Sequence, residues 1–291
     1  MEALQLLMWP LLACIAIVAI HAYLGFHVVE RGVIFVDLAL AQVAALGATV
    51  GFLIGFDLHS PASAWFSIAA VVVGAGLLAV LKAEKRRIPQ EAFIGIVYAV
   101  AAAAAILIVD RTPEGAEHIK FMFVGNLLAA SPGEVARLAG LYTVIGVLHF
   151  LWRRPFFAIS RGETTGMTRN QVRLWDFLFY LTFGLVVTQS VAVAGVLLVF
   201  SYLIVPSVIA MLLADGARVR LAIGWITGVI VSVAGMLASY HFDLPTGATV
   251  VTTFGVGLAL ALAYRGLVRR EAPEDALGKP APGETRRPQE A

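Results

Sequence analysis

Asp37 and Gln42 stand inside a stretch, residues 31–55 (RGVIFVDLALAQVAALGATVGFLIG), that is otherwise apolar and long enough to cross a bilayer. An ionisable or amide group in hydrocarbon is costly, so it faces a protein interior or a wet pathway. A carboxylate is a hard oxygen ligand, and Asp37 can therefore line a cation pathway. The alternative is a carboxylate near the membrane interface, six residues after Arg31, paired or hydrated there. Gln42 lies deeper and either lines a pathway or bridges helices, a common use of amides in membranes. The two are five apart, which at about 100° per residue sets them roughly 140° apart around a helix. They cannot form one ligand face together.

His241 and Asp243, two apart at a helix end, can meet a cation at a pathway mouth, or can cap and solvate a turn. His21 has apolar neighbours and reads as a hydrogen-bonded packing residue before a ligand. His59 and His118 fall in loops and read as solvent-facing. Other chemistries are missing. There is no GxxxxGK[ST], and Gly278-Lys279-Pro280 lies in a tail without the strand–loop–helix setting of a phosphate loop. If transport is ATP-driven, another subunit supplies the hydrolysis, so the chain is expected to be no enzyme and to bind no cofactor. Nothing resembles a nucleophilic triad or an HExxH pair. Cys14 is the only cysteine, which excludes a disulfide framework within one chain.

The elements that must position these residues are membrane helices. The chain has 291 residues, of which 60% are hydrophobic and 14% charged, against about 25% charged in a soluble domain. Taking about 20 apolar residues per crossing, nine spans are predicted near 4–28, 33–56, 62–81, 91–109, 133–152, 175–190, 192–213, 219–240 and 247–267. The fold class is all-α and polytopic, with a transmembrane domain over 1–270. The pair 175–190 and 192–213 is interrupted by Gln189 and Ser190 and could be broken or re-entrant. No cleavable signal is read at the N-terminus, because residues 1–12 carry no basic region.

Orientation follows basic residues in short loops. Residues 82–87 (KAEKRR), the five arginines within 153–173, and Arg265, Arg269 and Arg270 assign those segments to the cytoplasm. The acidic segment 110–120 (DRTPEGAEHIK) faces out. The N-terminus is then outside and the C-terminus inside. Ser60-Pro61 and Ser131-Pro132 read as caps before a proline in the first helical position. Ser131…Glu134 and Thr168…Gln171 read as capping boxes. Pro206 should kink or break its helix. Gly47, Gly51 and Gly55, four apart, read as one packing face, and Gly224/Gly228 as another. Residues 121–130 (FMFVGNLLAA) are too short to span and read as a re-entrant or interfacial piece on the outer side. The segment 154–173 is long, basic and able to hold a short helix that docks a partner. Residues 271–291, proline-rich with mixed charge, read as a disordered cytoplasmic tail.

Taken in order, several segments resemble the permease subunits of the zinc/manganese/iron ABC importers, the ABC-3 family. Residues 25–55 hold a glycine, a VxRG turn and a polar helix ending in small residues. Residues 91–109 (EAFIGIVYAVAAAAAILIV) are similar to the family's E-x-x-IGI helix. Residues 123–131 (FVGNLLAAS) are similar to its x-G-N-I-L-x-x-S. Residues 195–213 lead to SYHFDLPTGATVV, close to S-Y-x-x-D-x-P-T-G-A. Spacing and order match over about residues 20–268.

The resemblance implies a vitamin B12/metal importer type of permease in the cell's inner (plasma) membrane. It implies two copies around a central pathway, ATPase subunits docked on 154–173 around Arg161, Gly162, Glu163 and Gly166, and an extracytoplasmic metal-binding protein. Membrane lipid is a further partner, and nucleic acid is not. The cargo implied is a divalent transition metal, zinc or manganese first and iron also. Asp37, Gln42, His241 and Asp243 are the candidate pathway residues.

One departure bears on the cargo. Family members carry G-D-A-L-S-H-A-x-L-P-G in the second span. Aligning its last glycine with Gly47 sets the family's Asp on Leu38 and its His on Gln42. Such a pair, four apart, shares a helix face as a transient metal site requires, and here neither ligand is kept. The loop likewise has Phe157-Ala158-Ile159-Ser160 where relatives open with F-D-x-E-x-A. Two alternatives stay open: the same fold importing a metal chelate or other small solute, and a secondary transporter that works without an ATPase.

Overall fold

A computed structural model of the chain describes residues 2–57, 60–81, 88–110, 125 and 127–271, with side chains over 7–267 of that set. Among the described residues the helices are α1 (Glu2–Arg31), α2 (Val36–Leu53), α3 (Pro61–Leu81), α4 (Gln90–Val109), α5 (Pro132–Leu151), α6 (Arg153–Ser160), α7 (Arg169–Ala194), α8 (Val196–Leu213), α9 (Ala217–Phe242) and α10 (Thr246–Glu271). A short 3-10 turn covers Leu127–Ala129. Nine of the helices are long and apolar enough to cross a membrane.

Local chemistry sets several of the starts. Ser131 Oγ accepts from the Glu134 N–H at 3.3 Å while the Ser131 N–H donates to Glu134 Oε2 at 2.8 Å. Thr168 and Gln171 do the same at 3.3 and 2.9 Å. Both are reciprocal caps that satisfy backbone donors left over in a first helical turn. Ser60 Oγ accepts from the Ser63 N–H at 3.2 Å and starts α3 on Pro61.

Helix α1 is the most enclosed span, and α4 and α10 are the least. One group gathers α8 and α9 around α1, with α10 packed on α8 and α9; another gathers α3, α4 and α7 around α2; α5 closes against α1 and α7. Lipid-side positions such as Val73, Val100, Leu107 and Leu260 remain exposed. That is how apolar spans present themselves to hydrocarbon, where the backbone is satisfied within each helix.

Small residues allow the close crossings. A Cβ on Gly47 would lie 2.5 Å from Phe66 O, and one on Gly51 3.0 Å from Phe66 Cδ2, so both press α2 onto α3. A Cβ on Gly228 would lie 2.7 Å from Val18 Cγ1, and one on Gly224 3.6 Å from Ala22 Cβ, so both glycines seat α9 on α1. Gly55 does not belong to the expected face. It has φ +102° and open space around it, and it turns the chain after α2.

The doubtful region between 175 and 213 resolves differently from the expectation. Helix α7 begins at Arg169 and runs unbroken through Gln189 and Ser190. Ser190 Oγ satisfies itself on Val186 O at 2.6 Å and pairs with the Tyr142 hydroxyl at 2.5 Å, so it does not interrupt the helix. The break falls at Gly195 (φ 77°, ψ 159°), a conformation open to glycine. Pro206 sits inside a continuous α8. A Cβ on Gly125 would lie 2.3 Å from the Ala194–Gly195 peptide, so the glycine of FVGNLLAAS lets that segment seat on the elbow. The rest of 121–126, the loops 82–87 and 111–120, His59, and the tail from 272 lie outside the described residues.

Candidate functional site

Asp37 occupies the first turn of α2 and is 1% exposed. The unpaired N–H groups of the helix start lie at the same level. Arg31 is not the partner of Asp37. A second carboxylate joins it from α4, where Glu91 accepts a hydrogen bond from the Ile34 N–H in the turn entering α2. Beside it, Gln90 Nε2 donates to the Tyr180 hydroxyl of α7 at 2.8 Å. Asp37 Oδ1 and Glu91 Oε2 have no hydrogen-bond partner among the described residues. Gln42, buried further along α2, likewise has an unpartnered Nε2. The second span thus carries spare polar capacity at two levels. Among the described residues, no three His, Cys, Asp or Glu side chains gather into a metal-holding group. Oxygen donors of this kind suit hard or borderline divalent ions held weakly.

His241 and Asp243 do not join α2. Both are exposed at the far end of α9, where Asp243 terminates the helix in a left-handed conformation (φ 52°, ψ 47°). His241 packs its ring edge-on to Phe242 with centroids 4.9 Å apart. His21 is buried in α1, with Nδ1 2.9 Å from Ile17 O, as a packing histidine would be.

The basic segment between α5 and α7 does hold a short helix, α6. Its end is closed by two backbone bonds, Gly162 N to Ile159 O at 3.2 Å and Glu163 N to Ala158 O at 2.8 Å, around Gly162 at φ +75°. That is the left-handed glycine stop of a helix. Arg161, Gly162, Glu163 and Gly166 are all exposed in the turn that follows.

The chemistry missed in the sequence lies under that helix. Arg31 Nη1 donates to Asp176 Oδ1 at 2.7 Å, with side chains 1% and 2% exposed. Arg31 Nε donates to Ser160 Oγ at 2.8 Å, and His27 Nδ1 lies 2.8 Å from the same oxygen. The guanidinium carbon stands 3.8 Å above the Phe179 ring. His149 Nε2 lies 2.8 Å from Thr182 Oγ1, and its ring stacks on Phe156 at 4.4 Å. Removing one partner of a buried ion pair costs about 3–5 kcal/mol, because the other charge is stranded. Two signals could have found this cluster. His27 and Arg31 are four apart on one helix face, and Asp176 is an acid within an otherwise apolar span.

The geometry is that of a polytopic bundle with polar groups along its second span and a tied-down helix at one end. The sequence model of the ABC 3 transport family matches residues 3–265. A relative in Haemophilus influenzae named "Probable iron transport system membrane protein" is 26% identical over 258 residues, 87% of this chain and 92% of its own length. The manganese transport system membrane protein MntC of Halalkalibacterium halodurans is 25% identical over 260 residues, covering 87% and 85%. Among solved structures, PsaBC from Streptococcus pneumoniae in complex with Fab superposes with a TM-score of 0.71 at 19% identity, covering 89% of this chain and 93% of that one. That likeness is one of fold.

Proposed function

The chain belongs to the ABC 3 transport family, and we propose that it is the permease subunit of an ATP-driven importer of divalent transition-metal ions. Manganese is the first ion to test, with iron and zinc in the same class. The observation that carries this reading is the family match over 3–265, which takes in all nine spans. Relatives named for manganese and iron transport support the cargo. On α2, Gln42 lies deeper with an unpartnered amide Nε2, and Asp37 offers a carboxylate oxygen donor with spare capacity. Such donors release an ion as readily as they receive it, and conduction requires that.

In this reading two copies of the chain enclose the pathway in the inner (plasma) membrane, with the N-terminus outside and the C-terminus in the cytoplasm. ATP is hydrolysed on separate subunits that dock on α6 and the turn at Arg161–Gly166. A binding protein outside delivers the ion. The test is reconstitution of the chain with its ATPase and binding protein in liposomes, followed by uptake of radioactive manganese. ATP-dependent uptake supports the proposal; none for manganese, iron or zinc overturns the cargo. Uptake by the purified chain alone in an ion gradient would indicate a secondary transporter instead.

One observation favours a second cargo. Leu38 and Gln42 occupy the positions where the family's Asp and His align, and both bind metal less well than those ligands. A metal chelate or other small solute needs no such ligand pair. Binding measured on the delivery protein, free ion against chelate, separates the two.

A further inference from the structure

Besides its aromatic packing, helix α6 is tied to the bundle by one guanidinium. Ser160, the last residue of α6, is buried and gives its proton to Phe156 O at 2.8 Å. Its oxygen therefore accepts from Arg31 Nε and from His27 Nδ1, both at 2.8 Å, which assigns His27 the Nδ1–H tautomer. The same guanidinium reaches Asp176 on α7 at 2.7 Å and covers Phe179. Arg31 is itself the last residue of α1. The turn that follows, with Gly32 at φ +63°, leads within five residues to Asp37. Two structural units thus meet at one side chain, α6 and the seventh helix, and the backbone of the same residue leads through Gly32 into the polar second span.

We propose that Arg31 is the joint that passes a displacement of α6 to α7 and to the start of α2. The proposal rests on the reading that ATPase subunits engage α6 and its turn. The fork of the guanidinium is what suits it to this work. Its Nε and Nη1 hold two partners on different helices at fixed angles, which the single ammonium of a lysine cannot do. Among the described residues Arg31 Nη2 and His27 Nε2 have no hydrogen-bond partner, so the pair retains donors and acceptors for a second arrangement when α6 moves. Arg31 is a positioning residue here, since it acts through Ser160 and Asp176.

The experiment uses the full complex in liposomes, with ATPase and binding protein, and reads two rates together: ATP hydrolysed and manganese moved. The variants are Arg31→Lys, Ser160→Ala and Asp176→Asn. Ser160→Ala leaves the ion pair whole, and so keeps the test alive should Asp176→Asn fail to fold. In Arg31→Lys and Ser160→Ala, ATPase subunits remain bound and hydrolysis continues. Metal moved per ATP falls about fivefold or more, the low end of coupling between sites. A purely structural role would lower the amount of active complex and leave that ratio unchanged. An unchanged ratio in both variants overturns the joint, and so does loss of the ATPase subunits themselves. Failure of the wild-type complex to import overturns the functional reading, and the joint falls with it.

Discussion

Gly25 of α1 faces the backbone of α8 so closely that a Cβ placed on it would stand 1.9 Å from the carbonyl oxygen of Leu203. The Ser207 hydroxyl would be 2.5 Å away. The nearer atom is backbone and cannot swing aside, so any larger residue must push the two helices apart in a close-packed interior. This crossing gives a physical reason for the glycine in the first conserved-looking stretch of the resemblance. It also fixes the level at which α1 leans on the helix that carries Pro206.

Gly25→Ala is therefore expected to destabilise the protein by about 1–3 kcal/mol, the usual cost of overpacking. Gly95→Ala, on α4 with open space around it, is the control. Thermal unfolding in detergent reads both. The Gly25 variant should melt lower than wild type and the Gly95 variant should not; equal midpoints for the two would contradict the crossing.

Glu91 ties down the turn that enters α2 from another helix, through the Ile34 N–H. Glu91→Gln keeps an acceptor there and should melt close to wild type. Glu91→Ala removes it and should cost about 1 kcal/mol, as loss of an intramolecular hydrogen bond does. Faster amide exchange of residues 34–37 in the alanine variant alone would show that the loss is local. Uniform change along the chain would argue against a local tie.

How far the sequence reveals this protein depends on the range of the interaction. Ser131 and Thr168 act within four residues, and their capping boxes are legible. So is the packing of Gly47 and Gly51, because a four-residue spacing is a property of one helix. Gly55 fits that spacing too, but the helix ends before it, and spacing cannot show where a helix stops. Asp176 lies 145 positions from Arg31, and no local pattern announces such a pair. The break after α7 is misplaced for a related reason. Ser190 looks like an interruption because it is polar, whereas its hydroxyl is satisfied by Val186 and Tyr142 once the helices pack.

Topology has a direct check. Cys14 is fully buried and is the only native cysteine, so Cys14→Ala gives a background without thiols. His241→Cys and Glu163→Cys then place single thiols at exposed positions on opposite ends of the bundle. In right-side-out vesicles a membrane-impermeant maleimide should label His241→Cys at once and Glu163→Cys only after lysis. The reverse order would invert the orientation and move the turn at Arg161–Gly166 to the outside.

The second span also allows the cargo question to be put to the chain itself. Leu38 is half-buried and Gln42 is 3% exposed, one turn apart on α2. Residues four apart share a helix face, so Leu38→Asp with Gln42→His should create the acid–imidazole pair that first-row ions prefer. If this face meets the pathway, the double variant binds manganese or zinc at least about tenfold more tightly than wild type, a gain of roughly 1.4 kcal/mol. Equilibrium dialysis of the detergent-solubilised protein measures it. Uptake should slow in the same variant, since an ion held harder leaves later. Gln42→Leu is the complementary change. It removes an amide whose Nε2 has no partner, so stability should hold or rise while uptake falls. If uptake instead survives Gln42→Leu and binding is unmoved in the double variant, Gln42 packs between helices and the pathway lies on another face of α2.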